Sequence, residues 1–191
     1  MELKPDMPEI RELILQLSSA DRATRKRAAL EFYRIGSELG DSAMARWRAD
    51  QEIASLIERQ LTVGVAVKPE NFEAIHAAAG WPELADVPPD QDAREFELLL
   101  DTARLDILTT RDPGGKGAIA RFLNKLGEGI QQVEYPTRDV DQATELLRAR
   151  LQIESIYAAT RPGADGTRIN FFLASTPQGR KVLIELVEKA E

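Results

Sequence analysis

The chain has no cysteine and a single histidine, His76. The first absence removes disulfides, thiolate nucleophiles and thiolate metal ligands, and it suits a reducing compartment, so a cytoplasmic location is expected. The second removes any site that needs two imidazoles from one chain. No apolar run approaches the ~20 residues of a spanning helix, and the first residues lack the apolar stretch of a secretory signal, so no membrane partner is expected. Positive charge is also in short supply. Lys and Arg number 25 against 32 Asp and Glu, for a net charge of −7, which argues against nucleic acid as a partner. Aromatics make up 6% of the chain, and Trp47 and Trp81 read as packing anchors rather than stacking platforms.

What is present is the composition of a soluble globular protein, 43% hydrophobic and 30% charged. Residues 1–60 read as an N-terminal helical bundle. Pro8 suits a first helical turn, and Ile10, Leu13, Ile14 and Leu17 form an apolar stripe that Ser18-Ser19 breaks. Ala28, Phe32, Ile35 and Leu39 form a second stripe, which Gly40 is expected to close as a C-terminal cap. Asp41-Ser42 is expected to open a third helix, with Met44, Trp47, Ala54 and Ile57 on one side.

Residues 61–191 change character. Leu61–Val67, LTVGVAV, alternates as a strand does: Leu61, Val63, Val65 and Val67 face a covering helix, while the small Thr62, Gly64 and Ala66 face the other way. Pro69–Ala79 is a short helix carrying His76, which reads as a surface or packing residue. A loop rich in proline follows, with a short strand near Leu84–Val87. Glu95–Leu100 and Arg104–Thr109 then form a hairpin around Asp101-Thr102. DPGGKG (Asp112–Gly117) is a turn, since it lacks the spacing and the Ser/Thr of a phosphate loop.

Gly127–Leu151 repeats the pattern: a strand over Ile130–Tyr135, then Asp139 as an N-cap, then a helix on Ala143, Leu146, Leu147 and Leu151. RPGADG (Arg161–Gly166) is a turn, and RINFFLA (Arg168–Ala174) and KVLIELVE (Lys181–Glu188) are strands. Residues 61–111 and 127–188 thus form two modules of one kind. The expected class is α+β, two βαβββ modules making a curved, half-barrel sheet.

GEGIQQVEY, RPGADGTRINF and VLIELVE resemble the second half of methylmalonyl-CoA epimerase, in the vicinal oxygen chelate superfamily that includes glyoxalase I. The resemblance is dense over Gly114–Glu188, thinner over Leu61–Arg111, and does not extend to residues 1–60. It implies two such modules around a divalent metal held by two His and two acidic or amide side chains. That metal acts as a Lewis acid on a thioester enolate. Carried over residue by residue, the resemblance puts a ligand glutamate at Glu185 and an acidic ligand at Asp106. Gln132 and Thr62 stand where the two His would be. Such an all-oxygen set disfavours zinc, cobalt and nickel and leaves magnesium, manganese or calcium.

Strand parity adds Glu134 to the face of Gln132, and Arg104 to the face of Asp106. The acidic lining is then balanced either by a hard ion or by the guanidinium of Arg104. Glu185 and Glu134, with Asp106 and Asp90, are the carboxylates of the right type to abstract a proton. Arg161 and Arg168 are placed to meet the phosphates of a CoA-like ligand, or else are exposed arginines of a hairpin. Two functions remain open: an isomerase or lyase using a hard divalent ion, and a metal-free protein on the same fold that binds a small molecule or a partner. A small-molecule ligand, with CoA thioesters as a candidate class, and a homo-oligomer, a dimer in its simplest form, complete the expectation.

Overall fold

The computed structural model describes residues 7–189. Helix α1 (Met7–Leu17) buries Leu13, Ile14 and Leu17, the stripe read from the sequence. Its end is closed by the Ser18 hydroxyl, which donates to the Leu15 carbonyl at 2.8 Å. Asp21 then caps the next helix. Its carboxylate accepts from the Thr24 hydroxyl at 2.7 Å and the Thr24 amide at 3.0 Å, and these bonds hold it below the usual carboxylate range.

Helix α2 (Arg22–Arg48) corrects the expected break at Gly40: it runs through both Gly36 and Gly40 without interruption. These glycines serve close approach rather than termination. A Cβ at Gly36 would sit 2.6 Å from a Val63 methyl, and one at Gly40 would sit 2.9 Å from a Val133 methyl and against the Tyr135 hydroxyl. The two lie four residues apart, on one face of the helix. Helix α3 (Gln51–Leu56) follows a short turn, capped by Asp50, which accepts from the Glu52 amide at 3.0 Å.

The sheet modules follow the expected order. The first holds β1 (Thr62–Ala66), α4 (Pro69–Ala78), β2 (Ala93–Leu100) and β3 (Ala103–Thr110). The second holds β4 (Gly129–Pro136), α6 (Val140–Leu151), β5 (Arg161–Pro162), β6 (Arg168–Ser175) and β7 (Lys181–Glu188), with α5 (Ala118–Leu126) leading into it. The strand expected near Leu84–Val87 is absent: the segment is irregular, with the Val87 amide bonded to the Ala85 carbonyl at 3.1 Å, and it is joined to β2 by a bond from the Ala85 amide to the Glu95 carbonyl at 3.0 Å. The three prolines Pro82, Pro88 and Pro89 that flank it lack the N–H a ladder needs.

Packing divides the chain into two compact units, Met1–Arg34 with Gly64–Gln131, and Ile35–Val63 with Gln132–Glu191. In the first, β2 and β3 pair antiparallel with Glu97 opposite Asp106 and Leu99 opposite Arg104. Phe96, Leu98, Leu105 and Ile107 are buried on one face, where Phe72 of α4 meets Phe96 edge to face at 5.1 Å. His76 belongs to this cluster, between Phe72, Phe96 and Trp81. Its Nε2 lies 2.7 Å from the Pro82 carbonyl, which can only accept, so Nε2 carries the proton and the residue is a packing group.

In the second unit the strand order is β4-β7-β6-β5, with β4 parallel to β7 and the remaining pairs antiparallel. Trp47 of α2 is buried edge to face on Phe172 of β6 at 5.4 Å. Tyr135, Ile184 and Leu186 fill the same core. Arg150 of α6 bridges to Asp50 at 3.1 Å and also bonds Glu52, tying α6 to the first turn of α3.

Candidate functional site

The face of the second unit's sheet opposite that core carries the candidate site. Val133 and Tyr135 of β4 point to the helix, so Gln132 and Glu134 point away from it. The parallel register sets Glu134 beside Glu185 of β7, and the antiparallel register sets Glu185 beside Phe171 of β6. Adjacent residues of paired strands share a face, so Gln132, Glu134, Phe171 and Glu185 form one patch.

Glu185 is the most constrained member. It is 7% exposed, and its Oε2 accepts a hydrogen bond from the side-chain amide of Gln132, itself 9% exposed. An amide donor fixes the orientation of the carboxylate and helps offset the cost of burying a charge. Thr62, at the start of β1 and 6% exposed, belongs to the same unit.

Two aromatic residues extend the patch, and neither was singled out in the sequence. The Tyr157 ring packs edge to face on Phe171 at 6.0 Å, and the Arg161 guanidinium lies over Tyr157 at 4.4 Å. Phe171 was within reach of strand parity, since the RINFF hairpin pairs it with Glu185. Tyr157 lies in the irregular segment after α6, where no periodicity marks it.

Asp106 and Arg104 belong to the first unit, on the half-buried face of β3. The Arg104 guanidinium donates to Glu97 of β2 at 2.8 Å, a partner the sequence reading had not included. Arg168 is committed to a surface triad: it bonds Asp141 and also Glu188 at 3.0 Å, and both carboxylates hold its guanidinium more firmly protonated. Asp90 lies in a single 3₁₀ turn, Pro89–Gln91.

The resemblance implies a metal held by donors of this kind. Among the described residues no group of three or more His, Asp or Glu side chains is placed to hold an ion. The Gln132 amide nitrogen, a donor that cannot coordinate, faces the one buried carboxylate of the patch. The residues present do not fit a nitrogen-preferring transition metal. Among the described residues no helix is long and apolar enough to cross a membrane.

No family model matches the chain, and no curated protein does. Solved structures do. The methylmalonyl-CoA epimerase of Mycobacterium tuberculosis is 32% identical, with a TM-score of 0.55, over 72% of this chain and 89% of that one. A Streptomyces coelicolor methylmalonyl-CoA epimerase variant in complex with 2-nitronate-propionyl-CoA is 27% identical, with a TM-score of 0.53, over 71% and 98%. A methylmalonyl-CoA epimerase in complex with methylmalonyl-CoA and NH4+ is 28% identical, with a TM-score of 0.53, over 71% and 94%. The α+β fold is therefore of the glyoxalase type, and the chain belongs to the vicinal oxygen chelate superfamily, where it resembles the methylmalonyl-CoA epimerases.

Proposed function

We propose that this protein is a metal-independent binder of a small acyl ligand, of the CoA-thioester class, on the epimerase fold. The observation that carries the reading is the bond from the Gln132 amide to Glu185. In the family's pattern these two positions belong to a metal. Here a neutral amide donor satisfies the carboxylate internally, with no imidazole beside it. The ligand class comes from the epimerases seen with methylmalonyl-CoA and 2-nitronate-propionyl-CoA. Phe171 and Tyr157 supply an apolar wall for an acyl group, and Arg161 supplies a cation. Arg168, which bonds Asp141 and Glu188, is a second candidate for the same task.

A second reading, an isomerase or lyase that uses a hard divalent ion such as magnesium, manganese or calcium, is favoured by one observation. The register sets Glu134 and Glu185 side by side, two carboxylates on one face. A carboxylate base beside a thioester α-carbon is what proton abstraction requires.

The two readings separate in one experiment. Purified protein is incubated with propionyl-CoA in D₂O, with EDTA or with each of the three ions, and deuterium at the α-carbon is followed by proton NMR. The binding reading expects no exchange above the protein-free control under any condition. Ion-dependent exchange that Glu185→Gln abolishes would replace it with the enzyme reading.

A further inference from the structure

The two modules differ at one position, the outer edge of the hairpin strand that lies farthest from the module's first strand. In the second module that edge is covered. Strand β5 pairs with β6 through Arg161 opposite Ile169, and the Ile156 amide bonds the Phe171 carbonyl at 2.7 Å. In the first module the equivalent strand is β2, and its cover stops at Glu95, where the Ala85 amide arrives. In an antiparallel ladder the N–H and C=O of one residue point the same way, and they alternate along the strand. Glu95 therefore faces outward, and so do Glu97 and Leu99. The Leu108 carbonyl, which bonds Val67 rather than β2, fixes the same phase from the other side. The outward amides and carbonyls of Glu97 and Leu99 have no backbone partner among the described residues. An open edge of this kind is a template for an added strand.

The edge is the floor of a groove of about 410 Å³, walled by Arg22, Arg25, Ala79 and Pro82. Leu99 projects from it, 59% exposed. The charge in the groove is positive. Arg22 opens α2 and has no side-chain partner among the described residues. A cation at a helix N-terminus opposes the helix dipole, a placement that an anionic partner would offset. Arg25 donates to the Ser19 and Ala20 carbonyls, while its buried Nε has no acceptor. The one acid in the lining, Glu97, is neutralised by Arg104. Lys26, on the neighbouring turn, is paired with Asp101 at 2.9 Å.

We propose that the outer edge of β2 takes an extended acidic peptide of a partner protein as an added strand. The Glu97 and Leu99 backbone would pair it, Leu99 and Pro82 would pack its apolar side chains, and Arg22 and Arg25 would meet its carboxylates. The mode of recognition is main-chain pairing for affinity and alternate side chains for specificity.

The test is fluorescence anisotropy of the full chain with a fluorescein-labelled heptapeptide alternating glutamate and valine. A peptide with lysine in place of glutamate serves as the control. The acidic peptide is expected to bind saturably and the lysine peptide at least tenfold more weakly. Leu99→Pro removes one outward amide without touching the β3 ladder, and Arg22→Glu reverses an exposed charge. Each is expected to weaken binding at least tenfold, and circular dichroism checks that each variant is folded. Absence of saturable binding, or equal binding of the two peptides, overturns the proposal. So does sedimentation showing a dimer that Leu99→Pro converts to monomer, since a second copy would then occupy the edge.

Discussion

Gly40 shows how a residue can be misread from its type alone. Glycine at the end of an apolar stripe suggests a cap, yet α2 passes through Gly40 as it does through Gly36, and at both the neighbouring strands leave no room for a Cβ. The spacing Gly-x-x-x-Gly was the legible signal, and the volume of Val63 and Tyr135 against it was not. Alanine at either position would gain about 1 kcal/mol in helix propensity. The overpacking opposes that gain by about 1–3 kcal/mol. Gly36→Ala and Gly40→Ala are therefore expected to lower stability in urea denaturation, where propensity alone would raise it. The residue scale also tests the metal argument. In the variant Thr62→His with Gln132→His, imidazole returns to both family positions. Zinc or cobalt at micromolar concentration is expected to raise the melting temperature of that variant and to leave the natural protein unchanged.

At the scale of elements, the strands and helices after residue 60 were legible because parity and caps are local. Asp139 caps α6 by accepting from the Gln142 amide at 2.8 Å, and Glu134 shares the face of Gln132, both readable from spacing. The segment after α6 was not legible, because side-chain bonds rather than periodicity hold it. The Thr160 hydroxyl and then the Arg168 guanidinium bond Asp141, in that order of effect, and together they hold its carboxyl below the usual range. A carboxyl depressed in the folded state stabilises the fold above its unfolded pKa of about 4. That contribution is lost as pH falls through the lower folded value. Thermal melts from pH 5 to pH 2 are expected to show a loss below about pH 4. Thr160→Val should make that loss shallower, because the unfolded and folded pKa values would converge.

The whole chain holds two tryptophans in opposite environments. Trp47 is buried on Phe172, while Trp81 is 63% exposed on a left-handed residue after Gly80. The sequence reading treated both as packing anchors, and only the first is enclosed. Trp81 meets His76 edge to face at 5.0 Å, a position set by the irregular loop and not by any periodic pattern. Acrylamide is expected to quench Trp81 strongly and Trp47 weakly, so Trp47→Phe should leave a red-shifted, readily quenched emission. The N-terminal helices were legible as helices from their apolar stripes. The sequence reading set a boundary at residue 60, and the compact units group residues 1–34 with 64–131 and residues 35–63 with 132–191.

The most direct test of metal-independent binding is calorimetric titration of the EDTA-treated protein with propionyl-CoA, repeated with millimolar manganese. The account predicts one saturable site per chain whose affinity is unchanged by manganese and falls at least tenfold in Phe171→Ala. Binding that appears only when manganese is present would contradict it.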